Sequence, residues 1–190
     1  EVAALTAAAM GGSKPFHEAL SERLAVMNVS QQKLDKMMSE HPMPERMSPG
    51  IAGLIAELRA AGKRVYLVSG GFRQMIDPVA AALDLDLTND VYANTLEFHD
   101  DGSYKGYNAD EPTSRAGGKA KAIKYIKTFN SYETVVMVGD GATDMEARDV
   151  PGGADAFIGF GGVVEREAVR AGADWFVYNF DDMRAVLAAK

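Results

Sequence analysis

The sequence predicts an α/β fold: a parallel β-sheet covered by helices, preceded by a purely helical segment. Three observations predict it. The runs "RVYLVSGG" and "TVVMVGDG" are almost continuously apolar before they end in glycine-rich polar loops, the pattern of strands buried on both faces. Helical patterns alternate with these and later apolar runs, as parallel connections require. Residues 1–47 show helical periodicity and no strand pattern.

Taken in order, Phe16, Leu20, Leu24 and Met27 recur at helical spacing after Pro15, which suits a first turn. Ser30 can cap a second helix with Leu34, Met37 and Met38 on one face. The run "HPMPERMSPG" then breaks the pattern and marks a junction between a domain over 1–47 and a domain over 48–190. Ser48-Pro49 opens a helix with Leu54, Ile55 and Leu58 on one face, ended by Gly62. "RVYLVSGG" is a buried strand, and "FRQMIDPVAAAL" a helix that Pro78 should kink. "DVYANTLEF" and "SYKGYN" flank "HDDG" as a β-hairpin. "GGKAKAIKYIKTF" is a helix with Ile123 and Ile126 inward and Lys121, Lys124 and Lys127 on a solvated face. "TVVMVGDG" is the next buried strand, followed by a helix. The strand "ADAFIGFGG", a helix from about Val164, the strand "DWFVY" and a last helix finish the chain.

Composition narrows the chemistry. Of 190 residues, 47% are hydrophobic and 25% charged, as in a globular protein with one core and at most a small appended domain. The net charge of −7 argues against a nucleic-acid partner. The absence of cysteine excludes disulfides, thiolate metal sites and a cysteine nucleophile. His17, His41 and His99 have no metal-ligand spacing. No apolar run approaches the ~20 residues that span a bilayer, so no membrane partner is expected.

In parallel sheets ligands bind beyond the carboxyl ends of the strands, where two polar loops fall. "GDGATD" brings Asp140, between two glycines, and Asp144, at a helix start, to one strand end. Two carboxylates there are hard oxygen ligands suited to Mg²⁺; an acidic helix cap is the plainer alternative. Ser69, Gly70 and Gly71 offer a hydroxyl and successive backbone N–H groups for a phosphate, or a simple strand-to-helix turn. Lys119 stands at a helix N-terminus, where the macrodipole disfavours a cation unless an anion is near. "GFGGVV" is not a dinucleotide fingerprint, because Val164 stands where the third glycine belongs.

Ser69, Lys119, Asp140 and Asp144, in this order and each at an element end, resemble the constellation of the haloacid dehalogenase superfamily of phosphatases. The blocks "AMGGSKPFHEALSERL", "LVSGGFRQMI", "YNADEPTSRAGGKAKAI", "GDGATDMEA" and "ADAFIGFGG" are similar to the phosphoserine phosphatase family along essentially the whole chain, its plant and algal members above all. The resemblance implies a Rossmann-like parallel sheet with a helical cap and Mg²⁺-dependent hydrolysis of O-phosphoserine, the last step of serine synthesis, through an aspartyl-phosphate. It implies catalytic roles for Ser69, Lys119 and Asp144, a metal ligand in Asp140, and substrate contacts from Met10, Gly11, Phe16, Arg23, Ser69, Gly70, Gly71, Lys119, Thr143 and Arg166. Arg23 would fork onto the substrate carboxylate. A soluble intracellular location is expected, in cytosol or plastid stroma, and a homodimer is left open.

The family places an Asp-x-Asp-x-Thr nucleophile motif on a strand ahead of the cap, where this sequence has nothing comparable. That implies a fragment of a longer enzyme, whose sheet lacks its first, central strand. The sole matching spacing, Asp84-Leu85-Asp86-Leu87-Thr88, lies in a helix-to-strand linker. Asp84 and Asp86 are expected there as solvated carboxylates, with Leu85 and Leu87 tucked against the core.

Overall fold

The computed structural model describes residues 16–188. Helices α1 (Phe16–Met27) and α2 (Gln31–Glu40) come first, and α3 (Ile51–Ala60) follows a 3-10 turn at Met43–Arg46. Ser30 caps α2 as its side chain predicts, its Oγ accepting from the Lys33 N–H at 3.3 Å. The α3 helix begins at Ile51 rather than Pro49, because Gly50 at φ +83 turns the chain immediately before it. Strand β1 (Leu67–Phe72) leads into α4 (Arg73–Ala82), which contains Pro78. The run "DVYANTLEF" is not one hairpin strand. Its first half, β2 (Val91–Asn94), pairs parallel with β1. Its second half, β3 (Leu96–Phe98), pairs antiparallel with β4 (Tyr104–Tyr107). The rest is α5 (Gly118–Phe129), β5 (Val136–Gly139), α6 (Ala142–Asp149), β6 (Ala156–Phe160), α7 (Glu167–Gly172), β7 (Trp175–Val177) and α8 (Phe180–Ala188). No helix among the described residues is long and apolar enough to cross a membrane.

The parallel strands form two separate ladders, β1–β2 and β5–β6–β7, and among the described residues no strand joins them. Packing nevertheless spans the gap. On one face α5 sets Ala120 and Ile123 against Met137 and Val68. On the other, α3 sets Ile55 against Leu67 and Val91, and Leu54 against Phe160 and Val177. Leu67 and Val68 are consecutive and so point to opposite faces, which places α3 and α5 on opposite sides. Between β1 and β5 lies a slot roofed and floored by helices, with an unpaired ladder edge on each wall. The expectation that β5 is buried on both faces therefore fails: Met137 is buried, but Val136 and Val138 are 47% and 36% exposed.

Helices α1 and α2 pack Leu20, Leu24 and Leu34 against Leu96 and Phe98 of the β3–β4 hairpin and against Phe72 and Met75. Met27, expected on that apolar face, is 55% exposed. Two more expectations change for stated reasons. Lys127 is not simply solvated, because its Nζ donates to Asp155 at 2.5 Å. The α7 helix starts at Glu167, not Val164, since residues 161–166 run as a loop held by Glu165, which accepts from Tyr178 Oη and Arg170.

Candidate functional site

The carboxyl ends of β1 and β5 flank the slot and present the polar loops seen in the sequence. At β1 the ladder bulges: from Val68 to Phe72 the strand advances four positions, while its partners Tyr92 and Asn94 advance two. Ser69, Gly70 and Gly71 thus stand opposite Ala93 alone, two residues more than the ladder takes up. Ser69 Oγ accepts from the Gly71 N–H at 3.0 Å, so the hydroxyl proton is left to donate, while the Gly71 amide is already used. A Cβ on Gly71 would meet that oxygen at 3.2 Å.

Lys119 sits at the start of α5. Its helix packs so closely on the 3-10 turn Pro112–Ser114 that a Cβ on Gly118 would lie 2.2 Å from the Pro112 carbonyl oxygen. This contact fixes where the lysine emerges. Its ammonium donates to Asp144 Oδ1 at 2.6 Å, with side-chain exposures of 22% and 4%. Asp144 Oδ2 accepts the Gly141 N–H at 3.0 Å. The carboxylate lies over Gly139, where a Cβ would stand 2.3 Å from its Cγ. The glycine ahead of Asp140 is thus there for a packing reason.

Asp140, at the tip of β5, points elsewhere. Its carboxylate is paired with Arg166, whose Nη1 also donates to the Asp140 carbonyl oxygen at 2.7 Å. The pair is about half exposed. Beside it, Val138, Gly139, Phe160, Val163 and Phe180 line a cavity of about 350 Å³.

The remaining residues implied by the resemblance are more scattered. Met10 and Gly11 lie outside the described residues, and of Phe16 the backbone begins α1. Arg23 lies on α1, its Nε buried without a hydrogen-bond partner; an orphaned buried donor is costly, and a carboxylate would satisfy it. No described contact joins Arg23 to the strand ends, although α1 rests on Phe72, next to the glycine loop. Thr143 is exposed on the first turn of α6.

The Asp84–Thr88 stretch belongs to the linker between α4 and β2. Asp84 pairs with Arg59 at 3.1 Å. Asp86 Oδ1 accepts the Thr88 and Asn89 N–H groups at 2.9 and 3.2 Å, and its Oδ2 accepts from the Asn89 side chain. The Asn89 side-chain bond, then those backbone donors, hold the Asp86 carboxyl below its ordinary value. The spacing thus makes an Asx turn ahead of the amino end of β2, away from the bulge. Leu85 is buried, but Leu87 is 38% exposed and not tucked in as expected.

Sequence reasoning missed the polar residues behind the glycine loop. Asn94 is fully buried, and Thr113 and Glu111 reach it and its neighbour Thr95. An asparagine within an apolar strand was the available signal, hidden by reading that run as a hairpin.

As a metal site the arrangement offers one accessible carboxylate, Asp140; among the described residues no group of three or more His, Asp or Glu could hold an ion. This fits Mg²⁺, which is commonly held by one or two carboxylates, waters and substrate phosphate, rather than a dedicated protein cage. A cation on Asp140 would have to displace Arg166.

Comparison with known proteins gives the family and the fold. The family model of the haloacid dehalogenase-like hydrolases matches residues 2–148. The chain is 50% identical over 182 residues to the chloroplastic phosphoserine phosphatase of Arabidopsis thaliana, covering 96% of this chain and 60% of that protein. It is 42% identical over 186 residues to the phosphoserine phosphatase of Bos taurus, covering 98% and 80%. Among solved structures, DsGPDH of Dunaliella salina is 40% identical with a TM-score of 0.74, over 88% of this chain and 28% of that one. A substrate-bound phosphoserine phosphatase shares the fold with a TM-score of 0.75 at 24% identity, over 99% and 83%. The chain belongs to the haloacid dehalogenase-like hydrolases, among their phosphoserine phosphatases.

Proposed function

We propose that these residues form most of the active site of a Mg²⁺-dependent phosphatase that hydrolyses O-phosphoserine, completed by an aspartate nucleophile on a strand that fills the slot between β1 and β5. The observation that supports it is the break between the two ladders, with Ser69 at the carboxyl end of β1, Asp140 at that of β5, and Lys119 tied to Asp144 four residues beyond Asp140. The carboxyl ends of parallel strands are the usual ligand crevice of such sheets. The described carboxylates there are engaged, Asp144 by Lys119 and Asp140 by Arg166. Residues 1–15 contain no aspartate. In this reading the nucleophile is supplied from outside the described residues, and residues 1–47 act as the cap over the site.

Each residue then has a task. Ser69 donates its hydroxyl proton, and Gly70 its N–H, to phosphoryl oxygens. Lys119, held by Asp144, faces the charge that gathers on those oxygens. Asp140 holds Mg²⁺, which supplies further charge neutralisation when bound. Arg166, released from Asp140, has an anion to turn to in the substrate. Arg23 receives the serine carboxylate on its unpartnered edge. The name of the Arabidopsis relative supports a plastid location.

The test is Mg²⁺-dependent phosphate release from O-phosphoserine by the 190-residue chain and by a form extended ahead of Glu1 with an apolar strand ending in Asp-x-Asp-x-Thr. Release by the extended form alone, unchanged by Asp84→Asn, is the expected result. Release by the unextended chain that Asp84→Asn abolishes would place the chemistry at the linker and sink this reading. Arg23→Ala should raise KM for phosphoserine about tenfold or more, as loss of a charged hydrogen bond does. A substrate without a carboxylate should be untouched, which separates this activity from that of a relative acting on another small phosphomonoester.

A further inference from the structure

We propose that Asn94 is a positioning residue that sets the two halves of the phosphoryl cradle, the Ser69–Gly71 loop and Lys119, at a fixed separation. This rests on the function proposed above. Asn94 is 0% exposed at the end of β2, opposite Phe72 across the bulge. The bulge removes the ladder partner that the Gly70 carbonyl would otherwise have, and Asn94 Nδ2 supplies one at 2.9 Å. The same nitrogen approaches the Thr113 carbonyl oxygen at 3.4 Å, while Asn94 Oδ1 accepts from Thr113 Oγ1 at 2.8 Å. Both carbonyls only accept, so the amide nitrogen must face them and the orientation is fixed.

Thr113 lies in the 3-10 turn on which Gly118 packs without room for a Cβ. The amide thus connects, in three contacts, the backbone of Gly70 to the helix start that presents Lys119. A neighbouring clamp prevents this turn from sliding: Glu111 accepts both the Thr95 N–H and the Thr95 hydroxyl, at 2.5 and 2.7 Å. A side chain that gives both its N–H donors and one acceptor position to two segments on either side of an anion site controls their spacing. Misplacement of such groups by about 1 Å can cost about 10²-fold in rate.

The experiment compares Thr113→Val, Thr113→Ser and Asn94→Ala with the parent in its phosphate-releasing form, and measures inorganic phosphate binding to each by calorimetry. Thr113→Val should lower kcat about 10²-fold with a smaller change in KM, and weaken phosphate binding about tenfold. Thr113→Ser, which keeps the hydroxyl, should restore both. Asn94→Ala should do at least as much as Thr113→Val. Variants that melt lower but keep kcat and phosphate affinity would overturn the inference and leave Asn94 an ordinary buried amide. If the parent releases no phosphate from O-phosphoserine, the proposed function fails, and phosphate binding alone decides this point. A tenfold weakening by Thr113→Val then upholds the inference, and unchanged binding overturns it.

Discussion

Lys119→Met should damage stability and catalysis together. The ammonium meets a carboxylate that is 4% exposed, and the alternative to that bond is a buried, unpaired charge. Removing one partner of such a pair costs about 3–5 kcal/mol. At about 2–4 °C per kcal/mol for a chain of this size, the melting point should fall by about 6–20 °C. Phosphate release should fall about 10²–10³-fold, the usual consequence of losing one donor to a developing oxyanion. A second variant separates the two effects. Lys119→Met with Asp144→Asn removes the buried charge while an amide oxygen still accepts the Gly141 N–H, so most of the lost stability should return and the activity should not. Thermal melts with phosphate-release assays on the extended form check both statements. A single variant that melts like the parent would mean that the pair adds nothing to the fold.

The sequence made the two strand ends legible because a parallel strand and its loop are local features. Apolar runs that stop at "SGG" and "GDG" signal a strand and then a polar loop; both strands stand where expected, but β1 runs on through the glycines to Phe72 and is only half-buried, and β5 buries Met137 alone. Gly139 and Gly118 could be noticed but not explained from sequence, since their reasons are a carboxylate five residues on and a carbonyl six residues back. What stayed hidden depended on long-range pairing. "DVYANTLEF" looks like one strand by alternation, yet its halves join different sheets, and the break falls at Asn94-Thr95, where side chains rather than the ladder take over the hydrogen bonding. The direction of Arg166 was equally unreadable, because it depends on the 161–166 loop reaching across from β6 to the tip of β5.

The slot shows the same limit from the other side. Val136 and Val138 were expected to be buried because an apolar strand is usually covered twice. Their exposure shows that this face of β5 is left partly open among the described residues, and periodicity alone would not have found it. The linker motif is the converse: a spacing that looks like a nucleophile, spent on an Asx turn and an ion pair with Arg59. Spacing suggested the chemistry; the hydrogen-bond partners of each carboxylate decide whether it is available.

Asp140→Asn should separate what Lys119→Met combines. The Asp140–Arg166 pair is about half exposed, so solvent screens it, and its loss costs at most about 1 kcal/mol. The melting point should move by less than about 4 °C. Phosphate release should nevertheless fall about 10²-fold or more, because the one accessible carboxylate at the strand end loses the charge that a hard cation needs. Calorimetric titration with Mg²⁺ gives a readout apart from turnover: heat of binding should be weakened strongly by Asp140→Asn. Arg166→Ala, which frees the carboxylate, should strengthen it. A titration in which Asp140→Asn binds Mg²⁺ like the parent would remove Asp140 from the metal site. A result in which Arg166→Ala weakens Mg²⁺ binding would mean that the guanidinium supports the cation site instead of competing for it.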